Sequence, residues 1–248
     1  MRIFALFSNF RTIRFWRTLH LWLSVLLSLQ LLAWFGSGLV MSILPIDEVR
    51  GDHLRAKVPA IDWQQAQISP AQLPEVSGAI ILKQRGEMPV YQLDNGQQQR
   101  FFSAKDGTLL LPLTAEQLQG LAQQSYSGSG TVQSAQLIQQ LPQEARGLTP
   151  PVWQVQFADA DQTVFYLHPI TGELLRVRTD NWRLFDFVWM LHIMDYNNRT
   201  DFNHLLLIIS SALALLFTLS GLILLVLTLT RRRVSRLRGA DVAGPAGI

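Results

Sequence analysis

Two stretches of the chain carry no Asp, Glu, Lys or Arg: Thr18–Ile46 and Phe202–Thr230. Each exceeds the roughly 20 apolar residues with which an α-helix crosses a bilayer, so the pattern predicts transmembrane helices at 18–44 and 202–230. Between them the period changes. Val152, Gln154 and Gln156 alternate with Trp153, Val155 and Phe157, the two-residue repeat of a half-buried strand. Pro89–Leu93 opens a similar unit. Each unit continues through a polar turn to an apolar-aromatic run, Phe101-Phe102 or Val164–Leu167, and closes on Gly107 or Gly172 followed closely by two leucines. Thr114 is placed to cap a helix running to about Gln124, with Leu118, Leu121 and Ala122 on one face. Asp62 is placed to cap a shorter helix ahead of the first unit, and Ser127–Gly130 reads as a flexible linker between the units. The expected fold class is therefore an α+β domain of two similar halves at 45–181 plus two antiparallel transmembrane α-helices. Phe185, Val188, Trp189 and His192, at helical spacing, add an interfacial amphipathic segment at 182–201.

Charge orients this layout. Arg2, Arg11, Arg14 and Arg17 lie in the tail at 1–17, and Arg231, Arg232, Arg233, Arg236 and Arg238 in the tail at 231–248. Residues 46–201 carry 17 acidic and 12 basic side chains. The positive-inside rule then places both termini in the cytoplasm and the domain outside, in the periplasm of a bacterial inner membrane. The basic excess sits beside the bilayer, so it does not argue for a nucleic-acid partner. The first apolar run is too long for a signal h-region and reads as a retained anchor. Phe4, Phe7 and Phe10, interleaved with arginines, fit either a tail lying in the headgroup layer or a disordered one.

The chain has no cysteine. Disulfides, thiolate metal sites, iron–sulfur clusters and covalent c-type haem are excluded together. Zinc-protease helices, phosphate-binding loops and nucleophile elbows are missing too. In the first span Ser24, Ser28 and Gln30, and in the second Ser210, Ser211, Ala214 and Thr218, form small or polar seams suited to helix packing.

The unit Pro151–Leu175, ending His168-Pro169-Ile170-Thr171-Gly172-Glu173-Leu174-Leu175, resembles a PepSY repeat, with His168 standing where that family usually has Asp. Arg17–Leu23, the two Ser-Gly-Leu motifs, and Trp189–Asp195 running on to Asn203-His204 resemble the PepSY-associated transmembrane family. Larger four-span relatives include ferric-siderophore reductases that carry haem between their helices. The resemblance thus implies haem b as cofactor and a haem-linked electron-transfer or ferric-reductase-like membrane subunit, acting on a periplasmic acceptor such as an iron chelate. PepSY domains also serve as inhibitory propeptide modules. The alternative is therefore a non-catalytic subunit that binds a peptide or a partner within a larger membrane complex.

The histidines carry the choice. His20 opens the first run and His204 the second, with Ser37-Gly38-Leu39 and Ser220-Gly221-Leu222 downstream. Each imidazole reads either as an interfacial side chain or as an axial iron ligand. His192 has the same two readings, and His53 and His168 are assigned no chemistry. His20 and His204 sit at opposite ends of spans about 30 Å long, so one chain cannot bring both to a single iron. Either a parallel homodimer pairs His20 with His20 and His204 with His204, or His192 or His204 pairs with Met41.

Overall fold

A computed structural model describes residues 10–57, 60–74 and 78–242. It divides into two units, one of residues 42–187 and one containing the long helices, residues 1–41 with 188–248. Phe4 and Phe7 lie outside the described residues.

The helical unit is built on α1 (Phe10–Ile43) and α5 (Leu205–Val242). With 34 and 38 residues, both exceed what a bilayer requires. The second continues past Thr230 into the arginine-rich tail, which is therefore helical as far as Val242. On α1, Leu23, Leu27 and Ser37 are buried while Gln30 and Trp34 are half-buried, a spacing of four and three that keeps one face inward. On α5 the inward positions are Ser210, Ala214, Phe217, Ser220 and Gly221. Ser211, Thr218 and Ser28, expected in the seam, point outward. Ser211 follows Ser210 by one residue, which turns it about 100° off the contact face. Thr218 and Ser28 donate to their own helix, at Ala214 O (2.9 Å) and Val25 O (3.2 Å). Gln30 does turn inward, where its buried Nε2 finds no partner among the described residues.

The other unit holds two antiparallel sheets. The first is the meander β1 (Ala79–Arg85), β2 (Met88–Asp94), β3 (Gln99–Ser103), and the second β4 (Val132–Ile138), β5 (Val152–Phe157), β6 (Val164–Leu167), β7 (Leu174–Arg178). A five-residue helix α2 (Ile46–Arg50) precedes them, and α3 (Ala115–Gln124) separates them in the chain. Thr114 caps α3 through a reciprocal pair with Gln117, as the sequence pattern predicts. Asp62 caps only a single 3₁₀ turn, Trp63–Gln65, rather than a helix. Ser69, held extended ahead of Pro70, leaves no room for more. The presumed linker is tied down instead of free. Ser127 N–H donates to Leu54 O, and the Gln123 amide holds both Gly130 O and Val132 N–H.

Leu121 joins the two sheets. A Cβ on Gly86, in the β1–β2 turn, would lie 3.2 Å from it, and one on Gly172, before β7, would lie 2.7 Å away. Gly172 also has φ +71°, so no other residue fits without strain. Lys83 Nζ and Glu173 Oε2, 2.6 Å apart, bridge the same junction. Around it the core of the second sheet packs Leu118 and Ala122 of α3 on Val155, Phe157, Phe165 and Leu167.

His168 explains how a residue other than Asp closes the β6–β7 turn. Its Nδ1 accepts from Ile170 N–H (3.3 Å) and Thr171 N–H (3.2 Å), the two-amide service an Asp carboxylate gives in such turns. The ring must be neutral at Nδ1 to do this. Burial, and then Lys83, lower its pKa below the ordinary 6.5, against a smaller opposing pull from Glu173.

Helix α4 (Asp180–Ile193) begins beside a dense polar cluster. Glu144 accepts from Tyr166 Oη (2.7 Å) and Arg183 Nε (2.9 Å), its carbonyl accepts from Arg178, and Arg146 pairs with Asp186. Arg178 stacks on Trp182 at 3.9 Å. The helix ends at Met194, whose φ is +58°, so the segment 182–201 is not one amphipathic helix. Beyond it the Asp195 carboxylate accepts from the backbone N–H of Asn197, Asn198, Thr200 and Asp201. Those amides hold its pKa down at about 2.

Three outcomes test this description in the detergent-solubilised chain. Leu121→Ala should cost about 2 kcal/mol in chemical unfolding, because it empties the junction between the sheets. The native state holds His168 neutral, so its contribution to stability is complete above pH 6.5 and declines as pH falls toward the lowered folded value. His168→Asp should keep the turn and remove that step from the pH dependence of the melting temperature. Gln30→Leu should leave stability unchanged or raise it by about 1 kcal/mol, since it removes an unpaired buried donor.

Candidate functional site

The helical unit contains two nearly identical arrangements. In the first, His20 of α1 lies flat on Phe217 of α5, with ring centroids 4.4 Å apart and planes within 7°. Its Nδ1 is 2.8 Å from Ser220 Oγ and 3.3 Å from Phe217 O. Ser220 Oγ itself donates to Phe217 O at 2.7 Å. The serine proton is thus committed to the carbonyl, and a carbonyl can only accept. His20 therefore carries its proton on Nδ1 and leaves the lone pair on Nε2. Gly221 makes the approach possible, because a Cβ there would stand 3.0 Å from His20 Cε1.

In the second, His192 on the last turn of α4 places Nδ1 2.9 Å from Ser37 Oγ of α1, and Ser37 donates to Trp34 O at 3.1 Å. Ser37 Oγ thus lies between the ring nitrogen and the Trp34 carbonyl, as Ser220 Oγ lies between His20 and the Phe217 carbonyl. Trp34 Nε1 donates to His192 O at 2.8 Å and fixes the backbone. Gly38 faces this ring as Gly221 faces the other, 3.7 Å from His192 Cε1 to an added Cβ. Neither Nε2 has a hydrogen-bond partner among the described residues, and neither is sealed among the buried polar atoms. Each opens on the surface of the unit. His20 and Ser37 are 17 residues apart on one helix, so the two levels are separated by about 26 Å.

His204, expected as a ligand, has a different task. Its Nδ1 accepts from Leu207 N–H (3.3 Å) and its Nε2 donates to Ile193 O (2.9 Å). It caps the first turn of α5 in the manner of a polar N-cap side chain. Both nitrogens are engaged, so the pairing of His204 with a metal ion, with a second His204 or with Met41 has no free lone pair to work with. Met41 is half-buried one helical turn beyond Ser37 on the same side of α1, which places its thioether position near the His192 level. Among the described residues no three His, Asp or Glu side chains gather into a metal cluster.

The two serines are what sequence reasoning missed. In the sequence each Ser-Gly-Leu motif follows a histidine of its own run, His20 before Ser37 and His204 before Ser220. In the structure each serves a histidine on another helix.

A second concavity lies within the α/β unit. A cleft of about 710 Å³ runs between the β1–β2 hairpin and the turn before β7, with Lys83, Gln84, Leu121 and Glu173 among its walls. Arg55, Lys57 and Glu87 add charges of both signs to its lining. β1 and β7 are edge strands of their sheets, so each has one edge without a strand partner among the described residues.

The family model described as the PepSY-associated TM region matches residues 17–242. No curated protein and no solved structure matches the chain. The matched residues include α1 from Arg17 onward, all of α5, both histidine–serine pairs and the α/β unit between them: the chain is a membrane protein belonging to the PepSY-associated transmembrane family.

Proposed function

We propose that this protein is an electron-transfer subunit of the bacterial inner membrane that holds haem b through His20 and His192. Both termini are cytoplasmic in this reading, and the α/β unit, read as two PepSY-like halves of which the first lacks its helix, is periplasmic. The observation that carries the proposal is the common state of the two imidazoles. Each is hydrogen-bonded to a Ser Oγ at Nδ1 and leaves Nε2 without a hydrogen-bond partner among the described residues, the nitrogen through which axial ligation of haem iron would run. A bonded Nδ1–H fixes the tautomer, orients the ring and raises the basicity of the other nitrogen. The glycines suit the same purpose, since Gly221 leaves a flat face against His20 that any larger residue would fill.

When bound, haem would supply one-electron ferric/ferrous chemistry. The chain's own residues hold and orient the ligating nitrogens, and the apolar faces of α1 and α5 keep water from them. No nucleotide-binding domain is recognised in the sequence, so the electron donor is a quinol or another protein. An iron chelate in the periplasm is the acceptor that the resemblance to ferric reductases favours.

Purified protein from cells grown with haem should show a reduced-minus-oxidised spectrum of the b type; colourless protein sinks the proposal. His20→Ala should remove one component and spare the other. Ser220→Ala should retain the ligand but weaken haem retention about 10- to 100-fold, as loss of an outer-shell partner generally does. Gly221→Val should displace the ring and match His20→Ala in the spectrum.

The cleft favours a second reading. Its mixed walls and the neighbouring strand edges suit an extended peptide, with Lys57 of its lining as an anchor for an acidic residue. On that reading the protein is a non-catalytic binding subunit, colourless, and it co-purifies with a partner whose retention is lost in Lys57→Glu.

A further inference from the structure

The β6–β7 turn is tied through one imidazole to both sheets. His168 closes its own loop: the ring Nδ1 accepts from Ile170 and Thr171 N–H, and the backbone carbonyl accepts from Gly172 N–H at 2.9 Å. Across the junction the same ring packs on Phe101 of β3, with centroids 4.9 Å apart. Leu113, ahead of α3, donates its N–H to Pro169 O at 2.8 Å, and Lys83 of β1 meets Glu173. Phe101 and Thr171 are buried. Thr171, Gly172 and Glu173 also line the cleft, together with Lys83. Whatever loosens this turn therefore alters the wall of the cleft and the contact between the sheets at once.

One proton is enough to loosen it. A neutral imidazole has a single acceptor nitrogen, and an imidazolium has none. Protonation of His168 at Nδ1 replaces the acceptor with a donor aimed at two N–H groups. Thr171 is buried, so water does not take the acceptor's place, and the closed turn bears the cost of unpaired donors. The charges around the ring act in the same direction on balance. Lys83 of β1 repels an imidazolium more than Glu173 attracts it, and an imidazolium also competes with Lys83 for the Glu173 carboxylate. Arg85, on the same face of β1 as Lys83, directs its guanidinium to Leu111 O at 3.0 Å. Phe101 and Leu113 bring no charge. An Asp at this position would remain an acceptor down to about pH 4, so the sensitivity belongs to the histidine of this chain.

We propose that His168 is an acid-responsive clasp: its protonation frees the turn before β7 from Phe101 and Leu113 and opens the cleft between the two sheets. The clasp depends on the geometry of the turn and holds under either functional reading. Its sign follows from the closed state, which holds the His168 pKa below the ordinary 6.5. Opening restores the ordinary value, so it gains as pH falls from 6.5 toward the lowered value and gains nothing further below that.

Amide-resolved hydrogen exchange of the full-length chain in detergent tests this between about pH 7.5 and about pH 4.5, a range that brackets the ordinary histidine value. The intrinsic pH dependence of exchange is divided out. Protection of the Ile170, Thr171 and Leu113 amides should fall together, by up to about tenfold per pH unit for one bound proton, and return at neutral pH. The Leu118 amide, bonded to Thr114 O within buried α3 packing, should keep its protection, which separates opening of the clasp from unfolding of the unit. In His168→Asp the protection of the turn should be flat across the range. Flat protection in the wild type overturns the clasp, and so does an equally steep loss in His168→Asp, since another group then carries the proton. Loss confined to Ile170 and Thr171 overturns it as well, because the turn then softens without releasing the first sheet. Loss at Leu118 in step with the turn is unfolding and likewise overturns it. Should His168→Asp fail to fold, His168→Asn carries the same expectation with an uncharged acceptor.

Discussion

The hydrogen bond from His20 Nδ1 to Ser220 Oγ, and its counterpart from His192 to Ser37, set the geometry of the helical unit. In water such bonds are worth little, because each group has ready alternatives. Between apolar helices the alternative is an unpaired ring nitrogen, so the bond dictates where the helices touch. Ser220 passes the interaction on to the Phe217 carbonyl, and Ser37 to that of Trp34. Each imidazole is thereby tied to the backbone of a neighbouring helix through one side chain. Glycine follows serine at both places, but only at Gly221 would an added Cβ press on the ring, 3.0 Å from His20 Cε1; at Gly38 it would make ordinary contact at 3.7 Å. A ring aligned within 7° of Phe217 is held on one face, along one edge and by its proton, which leaves rotation little freedom.

The α/β unit depends on a different contact. Two sheets with separate cores meet at Leu121, which fills the space that the missing side chains of Gly86 and Gly172 leave open. The salt bridge of Lys83 with Glu173 lies beside it, half-exposed, and contributes modestly in that setting. The Glu144 cluster is more deeply placed and works by mutual satisfaction. Tyr166, Arg178 and Arg183 each direct a donor at one residue, and burial together with the Glu144 bond pushes the Tyr166 phenol well above its usual range.

Much of this was legible in the sequence where the signal is local. Uninterrupted apolar length marks the spans, alternation marks β5, and Thr114 with Gln117 marks the start of α3. The motif that differs from its family at one position is also readable once the chemistry is stated: His168 replaces an Asp by offering a neutral nitrogen to the same two amides. What could not be read depends on rotation between helices. Nothing in the order of residues says that Ser220 answers to His20 and Ser37 to His192, because that pairing is fixed by how the helices are turned and connected. The same limit applied to Ser211, one residue from a buried position and facing away. His204 illustrates a further ambiguity, since a histidine at the mouth of a span looks alike in sequence whether it binds iron or closes a helix end.

The connection from Ile193 to Leu205 is stapled by one carboxylate, with Asp195 gathering four amides within the following six residues and His204 reaching back to Ile193 O. Such a joint has a fixed length, and length sets phase. One residue added between Asn203 and Leu205 would leave every helix intact yet advance α5 by about 100°, carrying Ser220 out of reach of His20. The short joint acts as a gear tooth for a contact more than a dozen residues further along the helix, so its tolerance for insertion should be far smaller than its exposure to solvent implies.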